Sequence, residues 1–143
     1  EEEKVVRETN KILGVLNDGE IEPASINVHA TCTRVYVETV HTEVVHLGAS
    51  RPVAVDAVRE ALESFRSEPQ ELGLPMAPEQ PILVLDDEYS PQPKNHSGYP
   101  DMVTLVGRLR ENSLFRNGVS YVLTSDNLER GAGGGAMLTA ELL

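Results

Sequence analysis

The strongest constraint on how this chain folds lies in residues 27–47, NVHATCTRVYVETVHTEVVHL, a run dense in Val, Thr and Tyr. Such side chains favour a pleated, half-buried backbone, so the run predicts strand. Taking Glu38-Thr39 as a two-residue connection folds it into an antiparallel hairpin in which Val37 faces Val40, Tyr36 faces His41 and Val35 faces Thr42. Strand alternation then puts Arg34, Tyr36 and His41 on one face, with Arg34 and His41 as diagonal neighbours about 7–8 Å apart. An Arg in that position holds a carboxylate in a two-pronged fork, and a His beside it moves a proton. The same two residues also read as a solvated pair on an open sheet face. The proposed turn is poorly written, because Glu-Thr lacks the Gly or Asn that a two-residue hairpin prefers.

The segment ATCTRVYVETVHTEVV resembles the strand segment of aspartate-semialdehyde dehydrogenases of the archaeal and fungal branch. In that family a Cys-x-Arg-Val stretch is followed by a His seven residues after the Arg; here these are Cys32-Thr33-Arg34-Val35 and His41. The resemblance implies that Arg34 binds the substrate carboxylate and that His41 is the general acid/base. Two residues depart from the family pattern: Tyr36 stands where Pro is usual, and Val40 stands where a Gly usually precedes the His.

Upstream, Glu1 to Gly14 reads as a helix with apolar positions at Val5, Ile12 and Leu13 and a stop at Gly14. Its acidic opening suits the positive end of a helix dipole. The string EEEKVVRETNKILG also resembles the Glu-x-x-Lys…Glu-Thr-x-Lys-Ile-Leu segment of the same dehydrogenases. By that resemblance Glu1 contacts the substrate and Lys4 the inorganic phosphate; their i, i+3 spacing puts both on one helix face. A third match lies in residues 125–136, where the family has Asn-x-x-Arg-Gly-Ala-Ala-Gly opening a helix that packs towards the cofactor domain. It implies that Asn127 hydrogen-bonds the nicotinamide end of NADP. Taken without the family, this Gly-rich run is neither a P-loop, since the Gly-Lys-Ser/Thr ending is missing, nor a dinucleotide fingerprint opening a βαβ unit.

The other segments read more simply. Asn17 to Ser25 is a polar connection punctuated by Asp-Gly and Pro. Ala54, Val58, Ala61, Leu62 and Phe65 form one stripe of a helix over 54–66, expected to pack into a core. Residues 67–80 are Pro-rich and read as a linker with a short turn, and Pro81 to Leu85 as a short buried strand. Residues 86–100 are too rich in Pro, Gly and polar side chains to be regular. Their Asp86-Asp87-Glu88 cluster lacks the spacing of a cation-binding loop and reads as a solvated acidic patch. Pro91 to Lys94 resembles the Pro-Gln-Pro-Arg of the same branch. Met102 to Arg110 and Val119 to Thr124 are strands joined through an Asn117-Gly118 turn, the first with Arg108 and Arg110 on one face, either at an interface or in solvent. Cys32 reads as a small packing residue and His29 and His46 as surface or strand histidines. No ligand spacing defines a metal site.

Composition narrows the partners. The 143 residues suffice for one domain with its own core. With 23 acidic against 12 basic side chains the net charge is −11, which argues against nucleic acid and anionic membrane surfaces. A single cysteine suits a reducing compartment, consistent with the cytoplasm. No apolar run approaches the roughly 20 residues that span a bilayer. The chain opens without Met and stops on Leu142-Leu143, so it reads as a piece cut from a longer protein.

Mixed strands and helices without regular βαβ alternation predict an α+β domain over residues 1–143. The resemblance implies the glyceraldehyde-3-phosphate dehydrogenase C-terminal fold, with a mainly antiparallel sheet, helices on one side, and a homodimer or homotetramer formed through the sheet. It further implies NADPH-dependent reductive dephosphorylation of aspartyl phosphate to aspartate semialdehyde, in lysine, threonine and methionine biosynthesis. The cysteine that forms the acyl-thioester would lie in the NADP-binding domain, outside this chain, so the isolated domain is expected to be inactive. Two rivals are a related acyl-thioester reductase of the malonyl-CoA reductase kind, and a non-enzymatic paralogue serving as an oligomerisation module.

Overall fold

The computed structural model describes residues 1–143, which divide into two units, residues 1–36 and residues 37–143. The first unit opens with helix α1, Glu2–Ile12. Strands β1, Val15–Asn17, and β2, Glu20–Glu22, follow as an antiparallel hairpin with Asn17 opposite Glu20. Its two-residue loop puts Asp18 at φ 49° and Gly19 at φ 84°, the doubly left-handed turn that Asp-Gly writes most readily. The polar connection expected over 17–25 therefore contains a real, though solvent-exposed, ribbon.

Beyond it the chain runs back beside α1 under the direction of one side chain. Asn10 receives the Ile26 N–H at 2.8 Å, donates to the Ile26 carbonyl at 3.1 Å, and gives its own carbonyl to the Ala24 N–H at 2.8 Å. At the other end of the helix the Glu2 carboxylate accepts the Cys32 N–H at 2.8 Å. An extended segment whose backbone polar groups are met by helix side chains has less need of a sheet partner.

The expected hairpin over 27–47 does not form. Residues 27–40 are in no ladder, and strand structure begins only at His41. Strand β3, His41–Gly48, pairs antiparallel with β6, Gly118–Ser125, through eight register pairs from His41↔Ser125 to Gly48↔Gly118. Glu38-Thr39 supplies no residue suited to a tight turn, so local closure loses to long-range pairing. Arg34 and His41 are thus not diagonal neighbours on a sheet.

The four-stranded sheet of the second unit runs in the order β3-β6-β5-β4, where β4 is Ile82–Leu85 and β5 is Thr104–Asn112. The β3–β6 and β5–β6 pairs are antiparallel and β4–β5 is parallel, so the α+β architecture has a mainly antiparallel sheet with one parallel edge. The core sits on the central strands: Leu105 is 1 % exposed and Val103, Val106 and Val119 are almost as deep. Burying each such side chain contributes about 1.5–3 kcal/mol. Helix α2, Val55–Ser64, lies against β4 and β5. Its expected apolar stripe is only partly covered, since Val58 and Leu62 are half-buried while Ala54, Ala61 and Phe65 are exposed. The supposed linker contains a short helix, α3, Glu68–Glu71, where Gln70 Oε1 accepts from the Ser67 N–H at 3.1 Å and its hydroxyl at 2.8 Å.

Two details depart from simple strand alternation. A bulge between Gly107 and Arg110 interrupts the β5–β6 ladder, with Arg108 at φ 55° and Arg110 Nη1 donating to the Arg108 carbonyl at 2.8 Å. The two arginines therefore do not share one regular face. The connection from β4 to β5 includes a 3₁₀ turn, Pro93–Gly98, pressed onto the sheet. A side chain at Gly107 would run into the Ser90 carbonyl and the Pro91 ring, so glycine permits that close approach. After β6, a π-helical turn, Glu129–Gly133, leads into α4, Gly134–Leu142. No helix is long and apolar enough to cross a membrane.

Candidate functional site

The first unit brings two of the sequence-predicted residues together. Arg34 Nη2 donates to both carboxylate oxygens of Glu1, at 2.8 and 2.9 Å. The pair is open to solvent, with the Arg34 side chain 80 % and the Glu1 side chain 61 % exposed. The neighbouring Glu2–Cys32 hydrogen bond fixes the backbone two residues before Arg34 and so directs the guanidinium to the start of α1. The result is one cation and one anion side by side in water, where exposed charges contribute little to folding and stay accessible to a ligand. Lys4 does not join them: its ammonium lies 3.7 Å from Glu8, one helical turn on. Cys32, expected to be packed, is exposed.

The second unit presents His41 at the first position of β3, exposed and opposite Ser125. The residue before it is held unusually. Val40 is buried at 7 % exposure and adopts φ 73°, in the left-handed region that a β-branched residue rarely enters. Its N–H donates to Asn127 Oδ1 at 2.7 Å. Because that N–H requires an acceptor, the amide orientation of Asn127 follows: the oxygen faces Val40 and the NH₂ group faces away as a donor.

Asn127 is itself braced by Asp126. Asp126 Oδ1 accepts the N–H groups of Leu128 at 2.7 Å and Glu129 at 2.9 Å, turning the chain out of β6 and into the π-helical turn. The Glu129 N–H is the largest cause holding the Asp126 carboxyl below the usual carboxylate range. The Leu128 N–H, the Thr39 hydroxyl and the nearby His96 add to that effect, against a partial desolvation that works the other way.

His96, in the Pro93–Gly98 turn, has no part in the sequence reading and is the most buried titratable side chain of the unit at 2 % exposure. Its Nδ1 lies 3.0 Å from Thr124 Oγ1, and its Nε2 is buried without a hydrogen-bond partner. The only signal in sequence was a His inside a Pro-rich loop, which says nothing of burial. Elsewhere, His46 Nδ1 lies 2.8 Å from Ser120 Oγ and 3.2 Å from Asn112 Nδ2. Asp86 pairs with Arg59 at 3.0 Å, and Asp87 accepts the Tyr89 N–H at 2.6 Å. No group of three His, Cys, Asp or Glu side chains is arranged to hold a metal ion.

For a nicotinamide cofactor the fit rests on Asn127. Its Nδ2 makes no hydrogen bond within the chain, and an amide NH₂ presented as donor suits a carboxamide oxygen.

Comparison with known proteins gives a consistent result. Residues 1–130 match the semialdehyde dehydrogenase dimerisation-domain model. The whole chain is 46 % identical to part of the aspartate-semialdehyde dehydrogenase of Methanothermobacter thermautotrophicus, covering 42 % of it. Nearly the whole chain, 98 %, is 37 % identical to 40 % of the NADP-dependent malonyl-CoA reductase of Metallosphaera sedula. Among solved structures, the aspartate-semialdehyde dehydrogenase of Candida albicans with NADP superposes at a TM-score of 0.90 with 36 % identity, over 99 % of this chain and 41 % of that one. The chain thus spans about two fifths of the length of the relatives it matches.

Proposed function

Since the chain belongs to the semialdehyde dehydrogenase dimerisation-domain family, we propose that it is the substrate-binding and dimerisation part of an aspartate-semialdehyde dehydrogenase. The enzyme makes aspartate semialdehyde from aspartyl phosphate, for lysine, threonine and methionine synthesis in the cytoplasm, and works as a homodimer or homotetramer. The NADP-binding domain and the nucleophilic cysteine belong to another part of the same protein, which leaves the isolated domain inactive.

The observation that carries this reading is the Glu1–Arg34 pair. An α-amino acid end presents one ammonium and one carboxylate, and the pair offers a carboxylate and a guanidinium side by side. Arg34 takes the substrate carboxylate with charge-assisted hydrogen bonds and Glu1 takes the ammonium. The contact now made between them is the one a bound substrate replaces. Lys4, on α1 three residues from Glu1, receives the phosphate as a point charge and exchanges its weak, exposed contact with Glu8 for it. His41, exposed at the start of β3, gives and takes the proton at the reacting carbon's substituents. NADPH would supply the hydride when bound, and the NH₂ group of Asn127, left free by the Val40 N–H on its oxygen, would hold the carboxamide.

A second reading, an acyl-CoA reductase of the malonyl-CoA kind, has the support of the Metallosphaera relative. A malonyl group has no ammonium, so that substrate gives Glu1 no task. The two are separated by assaying the complete enzyme for NADPH formation from aspartate semialdehyde with and without phosphate, and for NADPH oxidation with malonyl-CoA. Phosphate-dependent turnover with the first substrate supports the main reading; turnover with malonyl-CoA alone replaces it.

A further inference from the structure

The geometry points to Asn127 as a positioning residue for His41, acting through the backbone of Val40, in addition to any contact with cofactor. This rests on the acid/base role given to His41 above. Val40 is the hinge between the irregular segment 27–40 and β3, and its conformation sets the direction in which His41 leaves the chain. A φ of 73° is open to glycine at little cost. In this chain a β-branched residue occupies the position, so something must hold it in a well it would otherwise leave.

Three contacts do so. The Val40 side chain is buried, its N–H is bound by Asn127 Oδ1 at 2.7 Å, and Asn127 is fixed because Asp126 caps the N–H groups of Leu128 and Glu129 that follow it. Val40 on one side and Asn127 on the other, with Asn127 braced by Asp126, thus form a clamp across the junction where β3 begins and β6 ends. The ladder partner of His41 is Ser125, the residue next to the clamp. Loss of the Asn127 hydrogen bond frees Val40 to relax towards negative φ, and His41 swings with it.

The test uses the complete enzyme with Asn127→Ala, Val40→Gly and the double variant. A clamp predicts that Asn127→Ala lowers kcat by about 10–100-fold, and that Val40→Gly in the same chain recovers at least fivefold of the loss, because glycine keeps the positive φ without the hydrogen bond. Hydrogen–deuterium exchange of a peptide spanning 37–43 should rise in Asn127→Ala, a readout that needs no turnover and so stands even if the substrate assignment fails. A residue that only touches cofactor gives another pattern: KM for NADP rises, exchange is unchanged and Val40→Gly gives no rescue. Unchanged exchange over 37–43, or no rescue by Val40→Gly, with correctly folded protein overturns the proposal, whether or not KM for NADP rises.

Discussion

Replacing Arg34 by Lys isolates the substrate-binding claim from stability. Arg34 and Glu1 are 80 % and 61 % exposed, and a screened surface pair of this kind contributes no more than about 1 kcal/mol to folding. Substrate recognition stands to lose more. A guanidinium presents a rigid fork to a carboxylate, whereas an ammonium presents a hydrated point charge and cannot reproduce the paired bonds. Each charge-assisted hydrogen bond is worth about 1.5–3 kcal/mol. Loss of one, at 1.36 kcal/mol per tenfold, lowers kcat/KM by roughly 10- to 150-fold, mainly through KM. Steady-state kinetics of the complete enzyme, with a thermal melt of each variant, checks this. A normal KM with an intact melt would remove the carboxylate site from Arg34, and a large loss of thermal stability would show that the pair is structural.

His41→Ala should cut kcat by about 10²- to 10⁴-fold with little change in folding, since the side chain is exposed; unchanged turnover, read by steady-state assay, would end its acid/base role. Asp126 gives a prediction in pH. Its carboxyl sits below the usual value of 3.8, chiefly through the Glu129 N–H, so the ionised form is favoured in the folded state. Its contribution is therefore fully present above that ordinary value and is lost as pH falls through the lowered one. The melting temperature of the native protein should exceed that of Asp126→Asn at neutral pH, with the gap closing in acid below about pH 4. A gap that stays constant with pH would show that charge has no part in the cap.

How much of this was legible beforehand differs from element to element. The strand at 81–85, the two long strands of the second unit, α1 and α2 announce themselves by periodicity, because each is a local pattern facing one environment. The segment 27–47 does not, since its Val- and Thr-rich composition says that it prefers extended backbone but not with what it pairs. β3 found β6, some eighty residues away, and the upstream half found side chains of α1. The Asp18-Gly19 ribbon was written plainly as a turn signal but lay in a stretch too polar to read as strand. In the site, Glu1 and Arg34 were identified and do meet. The Asp126–Asn127 clamp and buried His96 were invisible, for they depend on a backbone angle and on a loop pressed against a sheet.

The most direct measurement of the central claim is the phosphate dependence of aspartate semialdehyde oxidation by the complete enzyme, followed as NADPH absorbance. Turnover should need phosphate and fall sharply in Lys4→Ala at low phosphate, recovering as phosphate is raised. Turnover that ignores phosphate, or no turnover by folded protein while malonyl-CoA is reduced, would contradict that claim.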